Sequence, residues 1–350
     1  MKSIVKFLLV ALVTYPLCSL YSQNNSKEIV KAFELRMDGN IEEAQTLLSV
    51  IIEKDSTNAM AYFELARMSG DDLMKRNHIE KALIYDSNNL MYRFYKANLQ
   101  MLEAYKAMKT NNKELITSNL DQCTATLKSI LVLKPDCKET LLFLIDIYGT
   151  LPEEMGGNLD LAKTYLKELK KVDPLYAAQG ELTLKFKDGE VDMVKYWNNF
   201  IAKNGDSDES LIKLGKAYLM SNDIAKAKEY FNIVINRDAE QTVLHLDIAR
   251  AHLYTAMRGG DTHDKSLDQF KESIHVYLNA EGNKPKLIEA WCYGWLGMIE
   301  NRQGNNKKGE RYLKKAESIM PNYPRFTAIP TIDQPPNAVA YQYKSYFSPF

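Results

Sequence analysis

SLIKLGKAYLMSNDIAKAKEYFNIVINRDA, residues 210–239, decides the fold. Leu211, Leu214, Gly215, Tyr218 and Leu219 recur at helical spacing and make one apolar face. Asn222-Asp223 turns the chain, and Ala225, Ala227, Tyr230, Phe231 and Val234 make a second face. Gly215 and Ala227 are small where two helices must approach closely. Tyr218 and Phe231 are large where the gap between units must be filled. Neither helix buries its face alone, but a stack of such pairs does. On this reading Gly215→Trp is expected to damage folding by overpacking.

The same two-helix pattern runs from about Ser26 to Pro324. Its second clear copy is EAWCYGWLGMIENRQGNNKKGERYLKKAESIMP, residues 289–321. Weaker copies carry Ala32, Gly39, Ala44, Leu48 and Ile51; Tyr62, Leu65-Ala66 and Ala82; and Leu141, Leu144, Tyr148, Ala162, Leu166 and Pro174. Repeat ends fall at Ser56, Ser87, Pro135, Pro174, Gly205, Ala239, Pro285 and Pro321, so three units carry insertions. Two insertions, Pro152–Asn158 and Met257–Asp261, pair glycines with a capping Asn or Asp and read as structural turns. A partner-contacting edge is the sharper alternative for both loops. In the unit 174–205 a short first helix is expected around Ala177–Phe186, and this unit could bend the array. Met91, Tyr92, Phe94 and Tyr95 make the third repeat apolar on both sides, as an interface or as a deeply packed helix.

These residues resemble the tetratricopeptide repeat pattern. In 289–321 the matches are Tyr293, Leu296-Gly297, Gly309, Leu313, Ala316 and Pro321, with Glu300 in place of the usual aromatic. The resemblance covers about six-sevenths of the chain and implies an all-α, right-handed superhelical solenoid of about eight antiparallel helix pairs. It also implies a concave binding surface lined by the first helix of each pair, helix A. In the family's register that surface includes Phe63, Ile212 and Leu246, then Arg67, Lys216, Arg250 and Met298, then Leu219, Leu253 and Asn301. Arg67, Lys216 and Arg250 give a mildly basic floor between apolar rows, suited to a peptide with apolar anchors and a carboxylate. The paired Lys/Asn/Arg clamp of relatives that bind acidic C-termini is not matched, because Phe63, Ile212, Leu246 and Gly294 stand there. Arg250→Glu is expected to leave the fold intact and to weaken partner binding.

The 350 residues carry 45 Lys+Arg and 45 Asp+Glu, so no nucleic-acid footprint is present. The first residues, MKSIVKFLLVALVTYPLCSLYSQ, read as an export signal with Lys2 and Lys6 ahead of the apolar run Phe7–Val13. Cleavage is expected after Ser22; removing the two lysines leaves 43 bases against 45 acids. Cys18 offers a rival reading, a lipid anchor, but Pro16-Leu17 precedes it where a lipoprotein signal has small residues. No other segment is apolar enough for a membrane helix. Cys123, Cys137 and Cys292 are expected as buried free thiols, since ten helical residues separate Cys123 from Leu133 and set its thiol far from that of Cys137.

No nucleophile elbow, Cys-x-x-Cys, His-Glu-x-x-His or Gly-x-Gly-x-x-Gly occurs. His245 and His252 lie seven apart on one helix face and are expected in the core, not on a metal. Asp261-Thr262-His263-Asp264 reads as a capped helix start. No catalytic, cofactor or metal residues are assigned. After Pro324 the pattern stops; residues 325–350 hold Pro330, Pro335, Pro336 and Pro349 with six aromatics, and are expected as an extended tail against the last repeat or in the groove, with partial disorder as the alternative. The expectation is a non-enzymatic scaffold for a protein or peptide in a bacterial envelope, the periplasm. The alternative is a small-molecule or oligosaccharide binding accessory of an envelope transport system. Oligomeric state and partner identity are not legible.

Overall fold

The computed structural model describes residues 27–189, 191–259, 263–282 and 284–321. The export segment with Cys18, and the segment after Pro321, lie outside them. Among the described residues there are sixteen α-helices and no strand. They run as α1 (Lys27–Met37), α2 (Ile41–Lys54), α3 (Ala59–Met68), α4 (Asp72–Tyr85), α5 (Leu90–Lys109), α6 (Lys113–Leu133), α7 (Lys138–Thr150) and α8 (Leu159–Val172). Then come α9 (Pro174–Asp188), α10 (Met193–Asn204), α11 (Asp208–Met220), α12 (Ile224–Arg237), α13 (Leu244–Met257), α14 (His263–Asn279), α15 (Lys286–Arg302) and α16 (Asn306–Ile319). This is the all-α helix-pair repeat that the sequence implies.

The chain divides into two compact bodies, one holding α1 to α9 and the other α10 to α16. In both, helix starts are set by short polar side chains that satisfy the orphan N–H groups of the first turn. Asn58 accepts from Ala61 N, Asp71 from Met74 N, Asn89 from Tyr92 N, Asn112 from Leu115 N, and Asp223 from Lys226 N.

The N-terminal body has two apolar clusters. Ile29, Ala32, Ala44, Leu48, Phe63, Ile79 and Ala82 fill the first, which Met91 and Tyr92 of α5 close. Phe94, Ala97 and Met101, on the same helix, open the second with Leu120, Cys123, Phe143 and Ile145. The apolar character of the third repeat therefore belongs to a deeply packed helix. Its extra length is absorbed as helix, since α5 and α6 run for 20 and 21 residues. Cys123, Cys137 and Cys292 are buried and free, and the Cys123 thiol donates to Ala97 O at 3.2 Å.

The loop between α7 and α8 shows why its glycines are needed. Gly156 takes φ +87°, and a Cβ on Gly157 would lie 2.6 Å from the Leu151 carbonyl carbon. Asn158 caps α8 through Leu161 N and donates its own N–H to Tyr148 O at 2.9 Å. Its backbone is thus satisfied as a turn. In the second loop Gly259 has φ +77°; Gly260 and the expected cap Asp261 lie outside the described residues.

One expectation fails at α9. It is not short: it starts at Pro174 and runs for 15 residues. Asp173 accepts from Leu175 N at 2.9 Å and from Tyr176 N at 3.1 Å, and proline at the first helical position has no N–H to lose. In the N-terminal body α9 packs on α7 and α8, while in the C-terminal body α10 packs on α11. The fifth unit is therefore shared between the bodies.

The C-terminal body repeats the close helix contacts read from the sequence. Leu211, Leu214, Gly215 and Leu219 face Ala227, Phe231 and Val234, all buried. A Cβ on Gly215 would stand 2.7 Å from Phe231 Cδ1. One on Gly297 would stand 2.8 Å from Leu313 Cγ and 2.9 Å from Gly309 O. Tyr218 is half-buried and stacks on Tyr230 at 5.5 Å. Ala225 is exposed and does not belong to the buried face.

Candidate functional site

The turns fix the register of helix A across neighbours. Met37-Asp38-Gly39-Asn40 aligns with Met68-Ser69-Gly70-Asp71, which places Arg36 of α1 opposite Arg67 of α3. Leu214-Gly215-Lys216 aligns with Ile248-Ala249-Arg250, which places Lys216 of α11 opposite Arg250 of α13. Three residues before the second base of each pair stands an acid, Glu64 or Asp247.

Each body builds a buried base–acid–base ladder from these residues. In the N-terminal body Arg36 Nε meets Glu64 Oε2 at 3.3 Å, and Arg67 Nη1 meets Glu64 Oε1 at 2.7 Å. Phe33 lies under both guanidiniums at 5.1 and 5.7 Å, and Phe63 lies 5.4 Å from that of Arg67. In the C-terminal body Arg250 Nη1 meets Asp247 Oδ1 at 3.0 Å, and Lys216 Nζ stands 3.7 Å from Oδ2. Trp291 lies 5.8 Å from the Arg250 guanidinium. Burial lowers the pKa of Arg67 and of Arg250, and the paired acids act in the opposite direction.

Of the ten residues expected on the helix-A surface, Phe63 and Arg67 lie in the N-terminal body and the others in the C-terminal body. Phe63 and Leu246 have no exposed surface; Lys216, Leu219, Arg250 and Leu253 are buried. Ile212, Arg67, Met298 and Asn301 are half-buried. The expectation that Arg250→Glu leaves the fold intact does not survive this geometry, because the new carboxylate would face Asp247 in a buried site. Arg36, Glu64 and Asp247 were missed. Their signal is Glu-x-x-Arg and Asp-x-x-Arg at the same place in helix A, one turn apart on one face.

A third buried carboxylate, Glu300 of α15, stands where the repeat pattern has an aromatic. Lys308 Nζ donates to Oε1 at 2.7 Å, Asn305 Nδ2 to Oε2 at 2.8 Å, and Lys271 Nζ lies at 3.4 Å. Burial works to raise its pKa; the hydrogen bonds and the two lysine charges outweigh that, and the pKa falls below 4.5. A carboxylate with a depressed folded-state pKa contributes stability that is complete above its unfolded value and is lost as pH falls through the folded one. Thermal melts of the protein should therefore decline more steeply below about pH 4.5 than those of Glu300→Gln. Parallel curves would remove Glu300 from the acid response.

His245 and His252, expected in the core, are half-buried instead, and burial with Lys228 nearby lowers both pKa values. His263 Nδ1 lies 2.9 Å from Ala256 O. Among the described residues no three His, Cys, Asp or Glu side chains converge to hold a metal ion, and no helix is long and apolar enough to cross a membrane.

A family model for the tetratricopeptide repeat matches residues 209–240, the same α11–α12 unit that carries the close Gly215–Phe231 contact. The α11–α12 unit thus matches the tetratricopeptide repeat, and the described helix pairs have the all-α architecture of a repeat of that kind. A TPR repeat-containing protein of Methanocaldococcus jannaschii is 23% identical over 170 residues, which are 47% of this chain and 30% of that protein. The chain thus spans under a third of the length of that relative. Among solved structures, a thermophilic TPR protein of Thermus thermophilus is 15% identical, covering 65% of this chain and 97% of that one, with a TM-score of 0.35. A tetratricopeptide repeat protein of Parabacteroides merdae is 15% identical, covering 84% and 92%, with a TM-score of 0.32. Tetratricopeptide repeat proteins are in general non-enzymatic scaffolds for protein–protein interaction.

Proposed function

We propose that this chain is a non-enzymatic scaffold of the bacterial envelope, exported after removal of residues 1–22, whose tetratricopeptide array from 23 to 324 binds a peptide or protein along helix A. The observation that carries the reading is the repeated register of Arg36, Arg67, Lys216 and Arg250, with Glu64 and Asp247 bracing them. Within each body these braced bases fix neighbouring helices A in register, and the half-buried Arg67, Ile212 and Met298 on that surface suit a segment with a carboxylate or apolar anchors. The export-like start, with its short apolar run, supports the envelope setting.

A photo-crosslinking residue placed in the cell at Ile212 or at Met298, both half-buried on helix A, tests this against one placed at Val132 of α6, which is 82% exposed. The expected result is one discrete crosslinked protein from the helix-A positions and none from Val132. Crosslinks from Val132 alone would remove helix A as the binding surface.

A further inference from the structure

The last described helix, α16, carries bases along the centre of its outer face. On α16, Gly309 and Ala316 turn into the body and are buried, as is Met320 just beyond its end. The opposite side, by helical spacing, holds Lys307, Arg311 and Lys314, with Ser318 between their rows; Lys307 and Lys314 are exposed. Lys308 and Lys315 continue the basic arc toward α15, where Lys308 holds Glu300 and Lys315 lies 5.8 Å from the Tyr293 ring. Arg302, at the end of α15, is exposed as well. Glu310 and Glu317 stand together on the other flank of the helix.

Several exposed bases on other helices have acids to meet. Lys171 pairs with Glu168, Lys226 with Glu229, and Arg237 with Asp206 and Asp208. Among the described residues Lys307, Arg311 and Lys314 have no such partner. A polar outer face keeps a helix array soluble, but a mixture of charges does that equally well. Here one sign fills the centre of the face.

We propose that the outer face of α16 docks the protein on an anionic lipid surface. Protein partners are held mainly by buried apolar or aromatic anchors. No large apolar side chain is exposed on α16, although such residues are exposed on α4, α6 and α12. What this face offers is an array of point charges on long, flexible stems, and those suit a plane of repeated phosphates. Each base near an anionic bilayer strengthens binding by a factor of about five. The inference does not depend on what helix A binds.

Co-sedimentation of the full chain with vesicles tests it, using phosphatidylglycerol mixed into phosphatidylcholine against phosphatidylcholine alone. Binding is expected only with phosphatidylglycerol, and it should fall as salt is added. The variant Lys307→Gln/Arg311→Gln/Lys314→Gln should lose about 100-fold in partition coefficient with an unchanged melting curve. A control that removes the same charge from α8, Lys163→Gln/Lys167→Gln/Lys171→Gln, should bind nearly as the parent does. Equal losses in the two variants, binding to neutral vesicles, or retention by immobilised polyglutamate without vesicle binding would overturn the proposal. The last outcome would make the partner an acidic protein.

Discussion

Glu64→Ala is expected to lower the stability of the N-terminal body by about 3–5 kcal/mol. The carboxylate is wholly buried and is gripped from two sides, by Arg36 from the preceding repeat and by Arg67 from its own helix. Deleting it removes both ion pairs and leaves two like-charged guanidiniums close together at a buried position. The loss of the shared acid, more than the loss of contact area, sets the magnitude. Glu64→Gln keeps the shape and one acceptor while giving up the charge, so its cost should fall between the parent and Glu64→Ala. Denaturant midpoints with unchanged slopes would measure both. If Glu64→Ala cost under about 1 kcal/mol, the ladder would be an ornament of the repeat and not one of its braces.

Gly215→Trp should be as damaging to the C-terminal body, by about 3 kcal/mol or more. Even the first added carbon would press on the Phe231 ring, and Phe231 has no exposed surface into which to retreat. The whole indole has nowhere to go short of parting α11 from α12. Gly215→Ala is the graded control. Alanine gains about 1 kcal/mol of helix propensity over glycine, so any net loss reports the crowding directly. A Gly215→Trp protein that melts with the parent would mean that α11 and α12 meet elsewhere.

How far the fold could be read depended on the range of the interactions involved. Gly215 against Phe231, Gly297 against Leu313 and the cap at Asn158 are contacts within one helix pair, and spacing alone exposes them. The start of α9 is hard to read because Pro174 looks like punctuation, whereas Asp173 beside it supplies the cap that lets a helix begin there. The candidate surface was legible as a register and not as an environment. Glu64 and Asp247 look like solvent-facing acids until the bases 28 and 31 residues earlier are brought over them. Glu300 escaped likewise, as its partners Lys271 and Lys308 come from two other helices.

The polar caps have a consequence for how such a chain changes over generations. Most helices here begin with their own Asn, Asp or Ser, whose side chain accepts from the first turn, so a helix pair brings its hydrogen-bond closure with it. A duplication or deletion of a pair capped on both helices therefore leaves fewer orphan donors at the seam, and the new neighbours meet through the same small-against-large contacts. Loss of a single helix has no such immunity, because it puts two like faces together. Growth and shrinkage by cassettes of two helices are therefore easiest at α3–α4, α5–α6 and α11–α12, where both helices carry their own caps.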